Sequence, residues 1–506
     1  MRSERFLKPY AIKWKGIIKM RPSMLSTIFH LAFWTLIPMF LGLTGCTVGP
    51  DYARPGVNAP DEFMYNDKEA VEIANVLWWK QFQDPTLDAL IAEALVHNKS
   101  IMIAAANIEK ASAVLMQIRS PLFPQIAYSG DGANQRASES NTVLANFSDN
   151  PRTAYQAMSG ASWEIDLWGR VRRLSEAAQA DLFASEEARR GVILSLVGSV
   201  AGSYIQLLGL DEQLAVAERS LAAYGESVKL FENQFQYGQV SQMTVEQART
   251  QYETAAAEIP DIELQIAQTE NTLSILLGRN PGHVPRTKTI HEIQLPAVPK
   301  GIPSNILVNR PDIRQAEQNL ITANAQIGAA IALYFPSISL TGNFGYASTE
   351  LSDLFKGSSR VWSYGGSLTG PVFTAGAIFG QVKAAEATRD AALLNYELSV
   401  QGAFSDVENA LVARKKITEK IQAQEHLVKA CNEYVRLAKV QYHAGYAPYS
   451  TVLQAEQQLF PAELKYAQTR ASLFASLAQI YLAMGGGWVD TADGMTGPSK
   501  VPLATR

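Results

Sequence analysis

The chain has 506 residues, 47% of them hydrophobic, 18% charged and 9% aromatic, which is enough to bury a sizeable core and excludes overall disorder. Its 44 basic and 48 acidic residues leave a formal charge of −4, without the basic excess by which a nucleic-acid binder neutralises phosphates. Two cysteines, Cys46 and Cys431, and six scattered histidines exclude a disulfide scaffold and a cysteine-built zinc site, and leave little for metal or histidine catalysis.

Residues 1–23 carry Arg2, Arg5, Lys8, Lys13, Lys15, Lys19 and Arg21 against Glu4, and Met24 to Leu43 is almost uncharged. That is the pattern of a secretory signal peptide, read over residues 1–45. It ends in Leu43-Thr44-Gly45-Cys46, which looks like a bacterial lipobox; the likeness implies cleavage before a cysteine that carries diacylglycerol. Removing residues 1–45 takes away seven basic residues and one acid, leaving 37 and 47 and a formal charge of −10. No later window is read as approaching ~18 uncharged apolar residues, so no membrane-spanning helix is expected after processing. Residues 46–83 are expected to form a tether and residues 489–506 a flexible tail.

Between them the chain repeats once. Residues 98–130 align on 310–342 at a shift of 212, with Ile101/Ile313, Ala111/Ala323, Phe123/Phe335 and Pro124/Pro336 among the identities. Residues 227–252 align on 434–459 at a shift of 207, including Gly238/Gly445 and Thr244/Thr451. The repeats are placed at 84–300 and 301–488. Each reads as helix, Phe-Pro, alternating segment, polar loop, alternating segment and a pair of long helices. The first pair is expected over about 169–278 and the second over about 374–484, because no proline interrupts 152–259 or 372–447 and strong helix formers fill both stretches. At ~1.5 Å per residue, Gly169 to Tyr237 makes a rod of about 100 Å, which must pair along its side.

The alternating segments, about 124–134, 154–167, 336–347 and 360–372, have period two with one apolar face. Tyr155, Ala157, Ala161, Trp163 and Ile165 oppose Gln156, Ser162 and Glu164, and Ile338, Leu340, Phe344 and Tyr346 oppose Ser337, Ser339, Thr341 and Asn343. Alternation of this kind fits a lipid-facing strand and a half-buried soluble strand equally. In lipid, four strands leave open edges that cost several kcal/mol per unpaired group, so a membrane sheet here requires oligomerisation. Two copies give a filled eight-stranded barrel and three give twelve strands with room for water; the polar face favours the wider one.

Several motifs resemble the TolC/OprM outer-membrane efflux family, most closely the lipoprotein, NodT-type branch of RND efflux channels. They are Cys46-Thr-Val-Gly-Pro-Asp-Tyr-Ala-Arg-Pro55, Trp78-Trp79 with Asp84-Pro85-Thr86-Leu87, and Trp163-Glu-Ile-Asp-Leu-Trp-Gly-Arg170. Arg310-Pro311-Asp312-Ile313, Phe335-Pro336-Ser337-Ile338 and Gly485-Gly-Gly-Trp488 complete the set. The resemblance implies a mainly α fold with a membrane β-barrel part: a homotrimer sharing a twelve-stranded barrel, a periplasmic α-helical barrel and an equatorial collar. It also implies docking to a periplasmic adaptor and an inner-membrane proton-driven RND pump, with no cofactor beyond the lipid on Cys46, no metal and no nucleic acid. The function implied is an exit duct for small toxic compounds; a type I protein-secretion channel and a non-conducting lipoprotein scaffold are the alternatives.

The helix turns at Gly238-Gln239 and Gly445-Tyr446 are then the adaptor-facing tips, and Tyr449, Thr451, Leu453 and Gln454 the candidate periplasmic gate. Relatives that carry a Leu-Asp-Ala-Gln stretch would place a charged ring where this chain has Leu453-Gln454-Ala455-Glu456. A neutral ring implies closure by packing and hydrogen bonding more than by bound cations. Asp131, Glu164 and Asp166 are candidate lumen charges, with a structural pair at the barrel base as the alternative for the last two. Cys431 reads as a packed residue, His283 and His291 as linker residues, and Arg172, Arg173, Arg189 and Arg190 as solvated helix faces. No G-x-S-x-G, G-x-x-x-x-G-K-[ST], H-E-x-x-H or G-x-G-x-x-G after a strand occurs, which argues against an enzyme.

Overall fold

The structure is a computed structural model that describes residues 47–56, 77–136, 138, 151–295, 309–485 and 488–496. The expected signal peptide 1–45, the lipidation residue Cys46, most of the tether and residues 497–506 of the tail lie outside the described residues. The described residues form two compact units: a sheet unit within Pro124–Arg172 and Ala332–Val372 that includes Thr47 and Val48, and a helical unit within Gly49–Phe123, Arg173–Ile331 and from Phe373 to residue 496.

In the sheet unit, β1 (Gln125–Gln135), β2 (Arg152–Ile165), β3 (Ser337–Ser348) and β4 (Arg360–Thr369) form one antiparallel sheet in the order β1-β2-β3-β4. The register settles what alternation alone left open. Ile126 pairs with Ala161, Trp163 with Leu340, Ile165 with Ile338, and Phe344 with Trp362, so all four apolar stripes fall on one face. Asp131 opposite Gln156, and Glu164 opposite Ser339, mark the other. The apolar face is uncovered: Tyr128 is 93% and Tyr364 83% exposed, where a half-buried soluble sheet would hide them. Strands of 10 to 14 residues also match the length that crosses a bilayer. At the foot of the sheet Trp168 stacks on Phe335 with 4.6 Å between ring centroids and donates its indole N–H to the Pro336 carbonyl at 2.8 Å.

The helical unit contains α1 (Pro85–His97), α2 (Lys99–Arg119), α3 (Arg170–Gln236, from Arg173 on), α4 (Gln242–Leu276), α5 (Pro311–Ala332), α6 (Ala377–His443), α7 (Tyr449–Met484) and α8 (Trp488–Met495). Asp84 starts α1 by accepting the Thr86 N–H at 2.9 Å, and its other oxygen accepts the Tyr204 hydroxyl at 2.7 Å. Asn98 starts α2 in the same way. The repeat is built to the residue: α3 and α6 each have 67 residues. Each follows a glycine of positive φ, Gly169 at 79° and Gly376 at 86°, a conformation that a Cβ disfavours.

Four expectations are corrected here. The tether and tail ends are core: Trp78 stacks on Tyr481 at 5.5 Å, Trp488 packs edge-on against Trp78 and Trp79, and Phe82 is fully buried. Residues 489–496 of the expected tail are therefore not flexible: Val489 and Ala492 form one buried helical face with Trp488, the last residue of the second repeat. The four arginines are not solvated. Arg173 is buried between Asp51 (2.6 Å) and Glu176 (2.8 Å), Arg172 binds Asp166, Arg189 binds Asp493 at 2.7 Å, and Arg190 reaches Glu187 and Asp490. The stretch around His283 and His291 is more than a linker as far as Leu295, since Val284 and Ile290 are fully buried and His283 and His291 contact Glu270 and Glu212.

Windows of membrane-helix length and composition do occur, contrary to expectation. Pro85–Leu122 and Arg170–Gln236 are long and apolar enough to cross a bilayer by length and composition, and residues 191–210 carry no charge. In α3 that run supplies core: Ile193, Val197, Val200, Ala201, Ile205 and Leu207 are all almost fully buried. Burial inside protein removes the same apolar surface from water that a bilayer would. Cys431 is buried and free.

Candidate functional site

The tips of the two long helix pairs are built by one device. After α3, the Gly238 N–H donates to the Phe235 carbonyl at 2.9 Å and the Gln239 N–H to the Gln234 carbonyl at 2.8 Å. After α6, the Gly445 N–H donates to Tyr442 at 3.0 Å and the Tyr446 N–H to Gln441 at 2.9 Å. This left-handed C-terminal cap satisfies carbonyls that the helix end orphans, and it requires positive φ at the turn. Gly238 and Gly445 supply it at 70° and 76°. Beyond the cap, Gln239 and Tyr446 are exposed and available to a partner.

Just inside the tips the four candidate gate residues separate. Tyr449, the first residue of α7, packs on buried Phe231 of α3 with 4.1 Å between ring centroids and on Tyr442 of α6 at 5.5 Å. Burial, with Glu456 nearby, pushes the Tyr449 hydroxyl up to about 12, so it stays a neutral hydrogen-bonding group. Leu453 is buried, Thr451 half-buried and Gln454 exposed. The difference follows from helical phase: Val452, Ala455 and Leu459 face α6, where they meet Val435 and Ala438, and Gln454 lies off that seam. Sequence reading named Glu456 only as part of a motif. It is buried, its carboxylate paired with Lys439 at 2.9 Å, while its carbonyl accepts the Tyr224 hydroxyl at 3.4 Å. Phe231 and Glu456 gave no sequence signal, because their roles depend on the approach of the two helix pairs.

The candidate lumen charges also divide. Asp131 is exposed on the polar face and accepts from the Gln156 amide at 3.0 Å. Glu164 lies on that face but is engaged by Arg170 at 3.0 Å. Asp166 is not a strand residue. β2 ends at Ile165, the chain turns through Gly169, and the Asp166 carboxylate accepts the N–H groups of Val171 at 3.0 Å and Arg172 at 2.9 Å. A carboxylate there satisfies orphan donors and meets the positive end of the helix dipole. Asp166 is thus a structural cap at the sheet's foot.

A sheet with one exposed apolar face and open edges, joined in one chain to twin helix pairs with exposed tips, defines a membrane-channel subunit of the outer-membrane type. Comparison with known proteins makes the class specific. Residues 90–279 and 302–486 match the family described as outer membrane efflux protein. TtgC of Pseudomonas putida, a probable efflux pump outer membrane protein, is 36% identical over 460 residues, covering 88% of this chain and 94% of the relative. CusC of Escherichia coli, a cation efflux system protein, is 34% identical over 455 residues, covering 88% and 97%. The open-state MtrE outer membrane channel of Neisseria gonorrhoeae superposes with a TM-score of 0.79 at 33% identity, covering 88% of this chain and 99% of that one. This chain belongs to the outer membrane efflux protein family. It has that family's channel fold, resides in the outer membrane and serves there as an exit duct.

Proposed function

We propose that the chain is one third of a passive duct, which receives small toxic compounds from a periplasmic adaptor and an inner-membrane proton-driven RND pump and releases them outside. The observation that carries this reading is the four-stranded sheet, apolar on its exposed face, polar on the other, with β1 and β4 as its edge strands among the described residues. Closure in lipid without free edges needs further copies, and three give twelve strands around a water-filled interior. No catalytic step is assigned; energy comes from the pump. The names of the relatives support efflux over polypeptide export: they specify toluene, solvents, antibiotics and cations at 34–36% identity, so the likeness carries the duct and leaves the cargo to the pump.

Lipidation of Cys46 belongs to the same proposal. Thr47, the next residue, lies against Gly169 at the foot of β2, where an added Cβ would meet its Cγ2 at 2.7 Å, and the Val48 N–H donates to the Trp168 carbonyl at 3.2 Å. An acyl anchor beside the base of a membrane sheet is consistent with that fixing. The expected N-terminal peptide begins at Cys46 and carries acyl mass; a peptide that begins elsewhere and carries no lipid would contradict it.

Reconstitution in planar bilayers tests the duct. The expected result is stepwise conductance with weak divalent-cation block, because exposed Gln454 replaces a charged ring. Assembled protein without conductance would favour a scaffold. A deletion strain with unchanged drug sensitivity but a lost secreted protein would favour the secretion channel.

A further inference from the structure

Within the chain α3 stands between α2 and α5. Arg119 of α2 donates to Gln179 at 2.8 Å on one side, and the Thr322 hydroxyl of α5 donates to Asp181 at 2.7 Å on the other. One face of this three-helix wall carries the segment that follows the expected lipid anchor. There the Tyr52 hydroxyl donates to Glu317 at 3.1 Å, the Asn324 amide donates to the Pro50 carbonyl at 3.0 Å, and Asp51 pairs with Arg173. Gln315 and Asn319 stand two residues either side of Glu317, about 200° around α5, and so lie on the opposite face. A segment arriving from a lipid anchor runs along the outside of a closed wall, which turns the opposite face toward the lumen.

That inner face holds a groove of 730 Å³, within the range of sites for drug-sized molecules. Its floor is α3, where the small side chains of Ala178, Ala184 and Ala188 leave the space. Ile103, 61% exposed, and Val114, 40% exposed, add apolar surface from α2. Asn107 and Asn319, equivalent positions of the two repeats, bring one side-chain amide from each flanking helix. The groove also holds two opposite charges, Lys110 and Asp181. Asp181 accepts from Thr322 through one oxygen, and among the described residues neither charge forms an ion pair. An apolar floor between an ammonium and a carboxylate that leave each other unpaired matches a molecule with a flat apolar body and both complementary charges.

We propose that this groove is a resting site for amphipathic zwitterions inside the duct. The apolar body lies on the alanine floor, the ligand's carboxylate accepts from the Lys110 ammonium, and its own ammonium donates to Asp181. This rests on the proposed duct and adds to it a site and a chemical class of cargo. Binding there is weak, because a site along a conduit has to release what it takes.

The test uses the full lipoprotein in planar bilayers with ciprofloxacin, whose ring system carries a carboxylate and a piperazinyl ammonium at neutral pH. The expected result is brief interruptions of the current, more frequent at higher concentration but of constant mean duration, as a single bound molecule gives. Lys110→Gln and Asp181→Asn are each expected to shorten that duration by about threefold to fivefold, the upper range for an exposed charge pair. Asp181→Asn keeps an acceptor for Thr322, so its effect reads the charge. Ala188→Leu, which fills the floor, is expected to shorten it at least as much. Nalidixic acid, which has a carboxylate and no ammonium, is expected to respond to Lys110→Gln and not to Asp181→Asn. Wild-type channels that conduct without interruptions, or interruptions that neither charge variant shortens, would overturn the groove and leave the duct standing. A wild-type assembly that does not conduct would overturn the duct, and the groove with it.

Discussion

Replacing Arg310 by methionine is expected to cost about 3 kcal/mol of stability in the helical unit. The guanidinium is buried and donates to the Ala483 carbonyl at 2.6 Å, to both oxygens of Asp312 at 3.0 and 2.7 Å, and to Asp406 at 2.9 Å. Asp312 and Asp406 are half exposed, so water screens their share and each pair contributes little. The larger share is the Ala483 carbonyl at the end of α7, which loses its charged donor and stays buried, at roughly 1–3 kcal/mol. The stem adds packing, since a Cβ on Gly485 would lie 2.5 Å from the Arg310 Cγ. Arg310→Lys retains charge without the planar fork and is expected to recover at most about half. Hydrogen exchange in the last turn of α7 is the readout, expected to quicken by roughly a hundredfold in the methionine variant. Unchanged exchange would mean that the contacts are incidental.

Phe231→Ala is expected to loosen the tips selectively. Its ring is nearly fully buried between Tyr449 and Tyr442 and lies against Val245 and Ala248, and removing such a ring costs about 3 kcal/mol or more through lost transfer energy and the cavity left behind. Amide exchange across 228–248 and 435–455 should rise by roughly a hundredfold while the sheet is unaffected. Because Tyr449 then loses its closest ring, single-channel recordings should show longer or more frequent open periods. An unaltered exchange pattern would show that Phe231 does not join the helix pairs. Equal loosening in the sheet would show that the effect is global.

Those residues show where sequence reading ran out. The strands were legible because period two is local, whereas the agreement of their apolar stripes across all four needed the register. The 67-residue helices α3 and α6 were legible because no proline interrupts them and a glycine of positive φ stands at the turn after each. What escaped depends on partners far away in the chain. Trp78 of the tether and Trp488, just before the tail, lie 410 positions apart, so the tether did not announce itself as core, and neither did the start of the tail. Arg173 looks like any exposed helix charge until Asp51 arrives from the other side of the chain. Asp166 fits the strand's alternation, and only the turn through Gly169 turns its carboxylate onto the start of α3. The uncharged run 191–210 has a membrane helix's composition, and the neighbours that bury it decide otherwise. At the gate, sequence supplied the four positions, while helical phase placed Leu453 inside and Gln454 outside.

Native mass spectrometry of the detergent-extracted lipoprotein tests the central claim most directly, that the four-stranded sheet closes only with other copies of the chain. The predicted species is a trimer, twelve strands in all, that persists until the detergent is stripped. A stable monomer or dimer that keeps its sheet and still conducts would contradict it.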